Sequence, residues 1–548
     1  MHRTELKLCL SFCLSSKITR LLEVGALICW GDPETRTPGR CCEYCIVVTD
    51  PVSSFISRRR TRRASLSFHV AALGLGVVVA ATACGSEEPT VGEGTGGQSS
   101  PSGGAGGGPS SGSGGTLGGG GSLPSGGNTS SSGGSVSDGA GGSGEVTISD
   151  AFVVEVVLAS EVDSQAPTTV GIVTWSLPGE TVTDARLEFG LDATYGMVAP
   201  VDVAAEDFRT LLLGMKPMKE YHFRVVATTA AGSLASQDFT VTTGADNSGI
   251  ELSSFDIQVA ANREPGFIVT SFWRGDTSSV IFVLDQDGEI VWWYDTGMDG
   301  VARARMSEDG QTMWMIEPNN QGAALARVSM DTLDAESFPE IIGSHDLTPV
   351  SGSTMAFLEY GESDCNSIFE IDPLGVTKEV WDSEERASAM CHGNALRYSQ
   401  KEDVYTYSDV STDIWIISRS GEFQWSLADK VEGGVASWGG TNHGHHLLDD
   451  SLILFANRGG GNMLSTVVEY DLEGNELFEY DGGEFSANLG DVQRLPGGNT
   501  LVTYSNNGVI HEITPDKQLV LEITTAGQSF GYALWRESLY GAPPDLGL

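Results

Sequence analysis

Basic residues are scarce in this chain: 31 Lys and Arg stand against 73 Asp and Glu. From Cys84 onward the balance is steeper, 20 against 67, a net charge near −47. So acidic a surface argues against nucleic acid and against a polybasic membrane patch, and suits an exported protein. Cysteine is rare too, with only Cys365 and Cys391 beyond Cys84. An oxidising compartment permits those two to pair, so a Cys365–Cys391 disulfide is expected, with two free buried thiols as the plainer alternative. No phosphate-cradling Gly-rich loop precedes a helix. Gly459, Gly460 and Gly461 follow one strand and lead to another, so no nucleotide cofactor is expected.

Residues 85–144 lack aromatic and basic residues altogether, being mostly Gly, Ser, Pro and Thr. Such a segment cannot bury enough apolar area to offset ordering entropy, which predicts a disordered tether. As a flexible coil it would span roughly 45 Å. Before it come Arg58-Arg59-Arg60-Thr61-Arg62-Arg63, an apolar run from Val70 to Ala80, and Ala81-Thr82-Ala83-Cys84. A basic stretch, a short apolar run and small residues make a secretory signal over 58–84, too short for a spanning helix. Its ending resembles a bacterial lipobox, which makes Cys84 the lipidated first residue of an exported protein whose only membrane contact is that anchor. Residues 1–57 lie upstream of the signal, and six of the nine cysteines fall there without metal-ligand spacing. They read as a mis-assigned upstream segment.

From 146 to 245 short apolar–polar alternations recur, as in Val170-Gly171-Ile172-Val173-Thr174-Trp175 and Tyr221-His222-Phe223-Arg224-Val225-Val226. About 100 residues of such strands predict a β-sandwich of immunoglobulin or fibronectin III type, in which Leu213-Gly214-Met215-Lys216-Pro217 leading to Tyr221 resembles a tyrosine corner. His222 reads as an outward-facing strand residue and the domain as a spacer. From about 263 to 541 a longer period takes over. Strands end at Asp285, Asp331, Asp372, Ser418, Asp471 and Thr514, 41 to 53 residues apart. A period near 45 with about four strands per unit predicts a six-bladed β-propeller, closed by Tyr532-Ala533-Leu534-Trp535 pairing into the first blade. The expected fold class is therefore all-β, a sandwich followed by a propeller. The run Asp285-Gln286-Asp287-Gly288-Glu289 reads as a hairpin turn, the full loop of a calcium site being absent.

Three histidines stand at matching points of successive repeats: His345 before Leu347, His392 before Ala395-Leu396, and His443 before Leu447-Leu448. Gly490-Asp491-Val492-Gln493 holds the same place in the next. Such positions begin the innermost strand and face the channel where propellers bind ligands. A lone strand-entry histidine is more often structural, but three in phase point to one shared pocket. His445 and His446 add a metal alternative with His443. The i, i+2, i+3 spacing cannot aim all three one way along a strand, so no metal is expected. His511, on an outer-strand pattern, reads as structural.

In this order the motifs Gln286-Asp287-Gly288-Glu289-Ile290-Val291-Trp292, His345-Asp346-Leu347-Thr348-Pro349, His392-Gly393-Asn394, Gly421-Glu422-Phe423-Gln424-Trp425, Asn442-His443 and Gly490-Asp491-Val492-Gln493-Arg494-Leu495-Pro496-Gly497-Gly498-Asn499 resemble the bacterial arylsulfate sulfotransferases. The resemblance covers residues 265–541, and that family also places a β-sandwich before its propeller. It implies transfer of a sulfuryl group from a small aryl sulfate donor to a phenolic acceptor, without a nucleotide sulfate. By position, His443 matches the nucleophile that is sulfated during turnover. His345 and His392 match the histidines that hold sulfuryl oxygens or move a proton at the phenol oxygen, and Asn394 matches a further substrate-binding position. Where the family carries an arginine, in the strand after the second histidine, this chain has Ser408. Arg458 either supplies a substitute guanidinium from a neighbouring blade or is a rim residue. The other function class left open is a non-catalytic cell-envelope propeller that binds a small ligand or protein partner. Neither a monomer nor a homodimer is excluded.

Overall fold

The computed structural model describes residues 146–544 apart from 275–278, 298–299, 317–322, 361–364, 384–391, 411–412 and 459–463. Upstream it describes only four short strands, Leu27–Cys29, Cys45–Val47, Ser67–Phe68 and Val77–Val78, which form one sheet. Cys84 and the Gly/Ser tether lie outside the described residues. Among the described residues no helix is long and apolar enough to cross a membrane.

The strands that follow are short runs of Val, Ile, Phe and Tyr, residues that fit a pleated, half-buried surface. In the sandwich, Thr210–Leu212, Gly171–Ser176 and Val153–Leu158 form one sheet, and Glu220–Thr229 with Val182–Gly190 centres the other. Trp175, Leu187, Phe189, Tyr221 and Phe223 fill the space between them. The Tyr221 hydroxyl accepts the backbone N–H of Lys216 at 2.9 Å, pinning the corner that the sequence pattern marked.

Six units of four strands each follow, and strands from both ends of this segment join its first and sixth blades. The strand Leu534–Arg536 pairs with Phe267–Arg274 as the innermost strand of the first blade. The strand Ser254–Ile257, from the stretch between the sandwich and the propeller, pairs outside Leu519–Thr524 in the sixth. Inner strands are fully covered, as in Gly393–Ser399. Outermost strands such as Glu476–Asp481 alternate between exposed and half-buried, because only one face meets the next blade.

The repeat spacing has a local cause. Asp285, Asp372, Asp471, Ser418 and Thr514 each begin the last hairpin of a blade and accept with a side-chain oxygen the backbone N–H four residues on. Their carbonyls accept the N–H three residues on. That third residue has positive φ in every case: Gly288, Gly375, Gly421, Gly474, and in the sixth blade Lys517 at 67°. A type I turn closed by a left-handed residue is the three-residue hairpin loop that glycine suits.

Sandwich and propeller share one core. Ala159, Val170, Leu211 and Leu213 pack with Val269, Val291 and Trp292. Lys216 reaches across to Asp285 at 2.8 Å and Glu289 at 2.9 Å, and also pairs with Asp287. The acidic turn thus receives an ammonium group from the sandwich. Burial disfavours the Lys216 charge, but these three carboxylates outweigh it and raise its pKa.

Candidate functional site

The inner strands of blades three, four and five are each bulged where they enter the channel. Ser344 pairs with Leu358 and Leu347 with Phe357, so His345 and Asp346 are extruded between them. Asn394 is skipped between Gly393 and Ala395, and His443 and Gly444 between Asn442 and His445. A bulge re-aims side chains that a regular strand would alternate. His345 takes φ of 37°, a sparsely populated conformation of the sort that collects at functional sites. Gly444 has no alternative: a Cβ there would lie 1.9 Å from Asp491 Oδ1, because the strand passes directly against the sixth blade.

His345 and His443 lie on the bulges of blades three and five, and His392 directly precedes the inner strand of blade four. Nε2 of His345 lies 3.1 Å from Nε2 of His392, with the rings nearly perpendicular at 75°. Nδ1 of His345 is 2.7 Å from Ser344 Oγ, and Tyr360 stands edge-on to the same ring. His443 is buried, and its Nδ1 is 2.6 Å from Asn457 Oδ1. Burial pushes His345 down to about 3, helped by its two neighbours. Burial pushes His443 down to about 4 against the hydrogen bond its ring makes to the Asn457 oxygen, and lowers His392 as well. All three are neutral at pH 7.

Beneath them lies a buried ionic network that the sequence reading missed. Arg303 holds Asp346 through two nitrogens, at 2.8 and 3.0 Å, and Asp491 through the third at 2.6 Å. Arg397 donates to the other oxygen of Asp491 at 2.8 Å, and Tyr532 covers Arg303 with its ring 4.0 Å away. Burial opposes the Asp491 charge, but Arg303 and Arg397 outweigh it and hold the carboxyl below its usual range. Asp346 also accepts the N–H groups of Leu347 and Leu396, tying blades three and four. The available signal was charge on innermost strands, Arg303-Ala304-Arg305 and Leu396-Arg397, where apolar residues would otherwise be expected.

The remaining candidates divide. Asn394 is buried, donates to the Asn442 carbonyl at 2.8 Å, and keeps an amide oxygen with no partner among the described residues. Ser408 accepts from Asn442 Nδ2 at 2.6 Å. Arg458 pairs with Glu479 on the outermost strand of its blade at 2.7 Å, a contact that directs its guanidinium away from the imidazoles. His445 turns to Thr406, at 2.7 Å from its hydroxyl, while His446 Nδ1 accepts the Arg494 N–H at 3.1 Å. His443, His445 and His446 therefore face three different partners. Cys365 is disulfide-bonded, and Cys391 lies outside the described residues. His511 sits on an outer hairpin near Tyr480 and Glu522.

No protein-family model matches the sequence, and no curated protein matches it. Among solved structures, TolB from Acinetobacter baumannii is 13% identical with a TM-score of 0.40, covering 59% of this chain and 80% of its own. Virginiamycin B lyase from Staphylococcus aureus is 15% identical with a TM-score of 0.34, covering 50% and 89%. A chain of a nidogen/laminin complex is 9% identical at 0.39, covering 50% and 100%. These likenesses concern the bladed architecture alone.

Proposed function

We propose that this chain transfers a sulfuryl group from an aryl sulfate to a phenol through a sulfohistidine at His443. The observation that carries the reading is the 3.1 Å contact of two neutral imidazoles, His345 and His392, at the entries of two neighbouring inner strands, with a third neutral imidazole, His443, buried at the corresponding bulge of the next blade. A neutral imidazole has a lone pair to give, and Nε2 of His443 has no hydrogen-bond partner among the described residues. Its lone pair forms the N–S bond as the S–O bond to the aryl group breaks, and that electron pair leaves with the phenolate. The phenolate leaves unprotonated, because the proton at the His345–His392 contact is already held between the two Nε2 atoms. In the second half the pair takes the proton of the incoming phenol, whose oxygen forms the new S–O bond while the N–S pair returns to Nε2. The unmatched oxygen of Asn394 offers an acceptor beside this path. The residues require no nucleotide or metal for these steps. In this reading the protein acts in the cell envelope, held by the lipid on Cys84.

A second reading rests on Ser408, which is committed to Asn442 where the resembling family has a guanidinium. It makes the channel a small-ligand site without chemistry. The test is mass spectrometry of the protein and its His443→Ala variant after excess 4-nitrophenyl sulfate. One added sulfuryl group in the wild type alone supports transfer. No adduct and no phenol release, with saturable binding, leaves the ligand site.

A further inference from the structure

Asn457 lies in none of the motifs above, yet it is the only described group hydrogen-bonded to the His443 ring. Its orientation is not free. Nδ2 donates to the backbone carbonyls of Ser486, at 2.9 Å, and Leu489, at 2.7 Å. Reversing the amide would point its oxygen at two carbonyl oxygens, leaving three acceptors facing one another in a buried site. Ser486 and Leu489 are themselves held. Ser465 Oγ accepts the Ser486 N–H at 2.9 Å, and Leu489 is buried with φ of 54°. The amide oxygen must therefore face His443 Nδ1, and being an acceptor only, it requires a proton on that nitrogen.

We propose that Asn457 is a positioning residue that locks His443 in the Nδ1–H tautomer and so leaves Nε2 as the sole nucleophilic atom. This deepens the sulfuryl-transfer reading and rests on it for its chemical meaning, though not for the tautomer itself. The choice of an amide has a second consequence. When Nε2 bonds to sulfur the ring becomes cationic, with its Nδ1–H still on the Asn457 oxygen. A carboxylate in that place would stabilise the cation and make it a poorer leaving group, whereas a neutral amide keeps the N–S bond labile. Asn457 thus serves both half-reactions. The other ionisable groups felt by His443 are His345, His392 and Asp491.

The experiment is nitrogen NMR of the full chain labelled with 15N only at histidine, recorded without substrate, with His443 assigned by loss of its signals in His443→Gln. The inference expects Nδ1 protonated and Nε2 bare at neutral pH. A proton on Nε2 overturns it whatever the protein does to aryl sulfates. Asn457→Ala is then followed for the rate of adduct formation with 4-nitrophenyl sulfate. A loss of about 10- to 100-fold in that rate, with donor affinity unchanged, is expected of a residue that orients a reacting imidazole. In Asn457→Asp the adduct should form yet persist longer than in wild type. An Asn457→Ala protein that folds, keeps one tautomer and reacts at the wild-type rate also sinks the inference. A wild-type protein with the Nδ1–H tautomer but no adduct removes the proposed reaction and leaves the assignment standing.

Discussion

Nε2 of His345 faces Nε2 of His392 across 3.1 Å, so one ring must donate to the other and the two share a single proton at that contact. Burial holds both imidazoles neutral at pH 7. The pair can therefore accept a proton from a phenol but has no acidic proton to give a departing phenolate.

That asymmetry predicts donor preference. The rate of the first half-reaction should fall steeply as the pKa of the leaving phenol rises, because the phenolate must depart unprotonated. A series of substituted phenyl sulfates, followed by phenol release in the first turnover, measures the slope. A flat dependence would show that a protonated group assists departure.

The pH profile follows from His443. With its folded-state value at about 4, the nucleophile stays neutral well below the ~6.5 of an exposed imidazole. Adduct formation should be level from pH 8 to 5 and decline only near 4. Stability responds in the same direction. His443 and His445, at about 4 and about 3, refuse protons that the unfolded chain accepts below pH 6.5. Their contribution is complete above 6.5 and is lost as pH falls toward 3. His445→Gln should flatten the decline of melting temperature with acid, and an unchanged decline would mean that His445 does not remain neutral.

The junction between the two domains rests on Lys216 and its three carboxylates. Lys216→Met should cost about 1.5–3 kcal/mol, the range for charge-assisted hydrogen bonds, and leave the carboxylates repelling one another. Adding Asp285→Asn to that variant should recover part of the loss. Additive effects of the two changes in thermal unfolding would show the contacts to be independent.

Lys517 and Gly421 hold the same turn position in different blades, with φ of 67° and 89°. Lys517→Gly removes a side chain from a left-handed conformation that costs roughly 1–2 kcal/mol, partly offset by the greater freedom of unfolded glycine. A net gain of about 0.5 kcal/mol is expected. Gly421→Ala adds that strain, and its Cβ would meet the Val380 carbonyl oxygen at 2.3 Å. A loss of about 2 kcal/mol or more should follow. Equal effects of the two changes in denaturant unfolding would contradict the shared turn.

The all-β class and the bladed repeat were legible in the sequence because they are local. A turn that starts on Asp, Ser or Thr and closes with a left-handed residue recurs in five of the six blades, and each strand carries its own burial pattern. The histidines were legible for the same reason, since each begins an inner strand of its own repeat. Their distance and orientation were not. Nothing in the interval between His345 and His392 says that a bulge at one and a strand entry at the other bring their Nε2 atoms to 3.1 Å. Asn457 was passed over for its neighbour Arg458, because sequence favours a charge while only the folded chain shows which of them meets a ring and which meets Glu479. Arg303, Asp346, Arg397 and Asp491 come from four strands far apart in the chain, and their pairing exists only once the ring is closed. Local hydrogen-bond geometry determines the blade, and closure of the blades around an axis determines the site, because the site is made of residues that share no local structure.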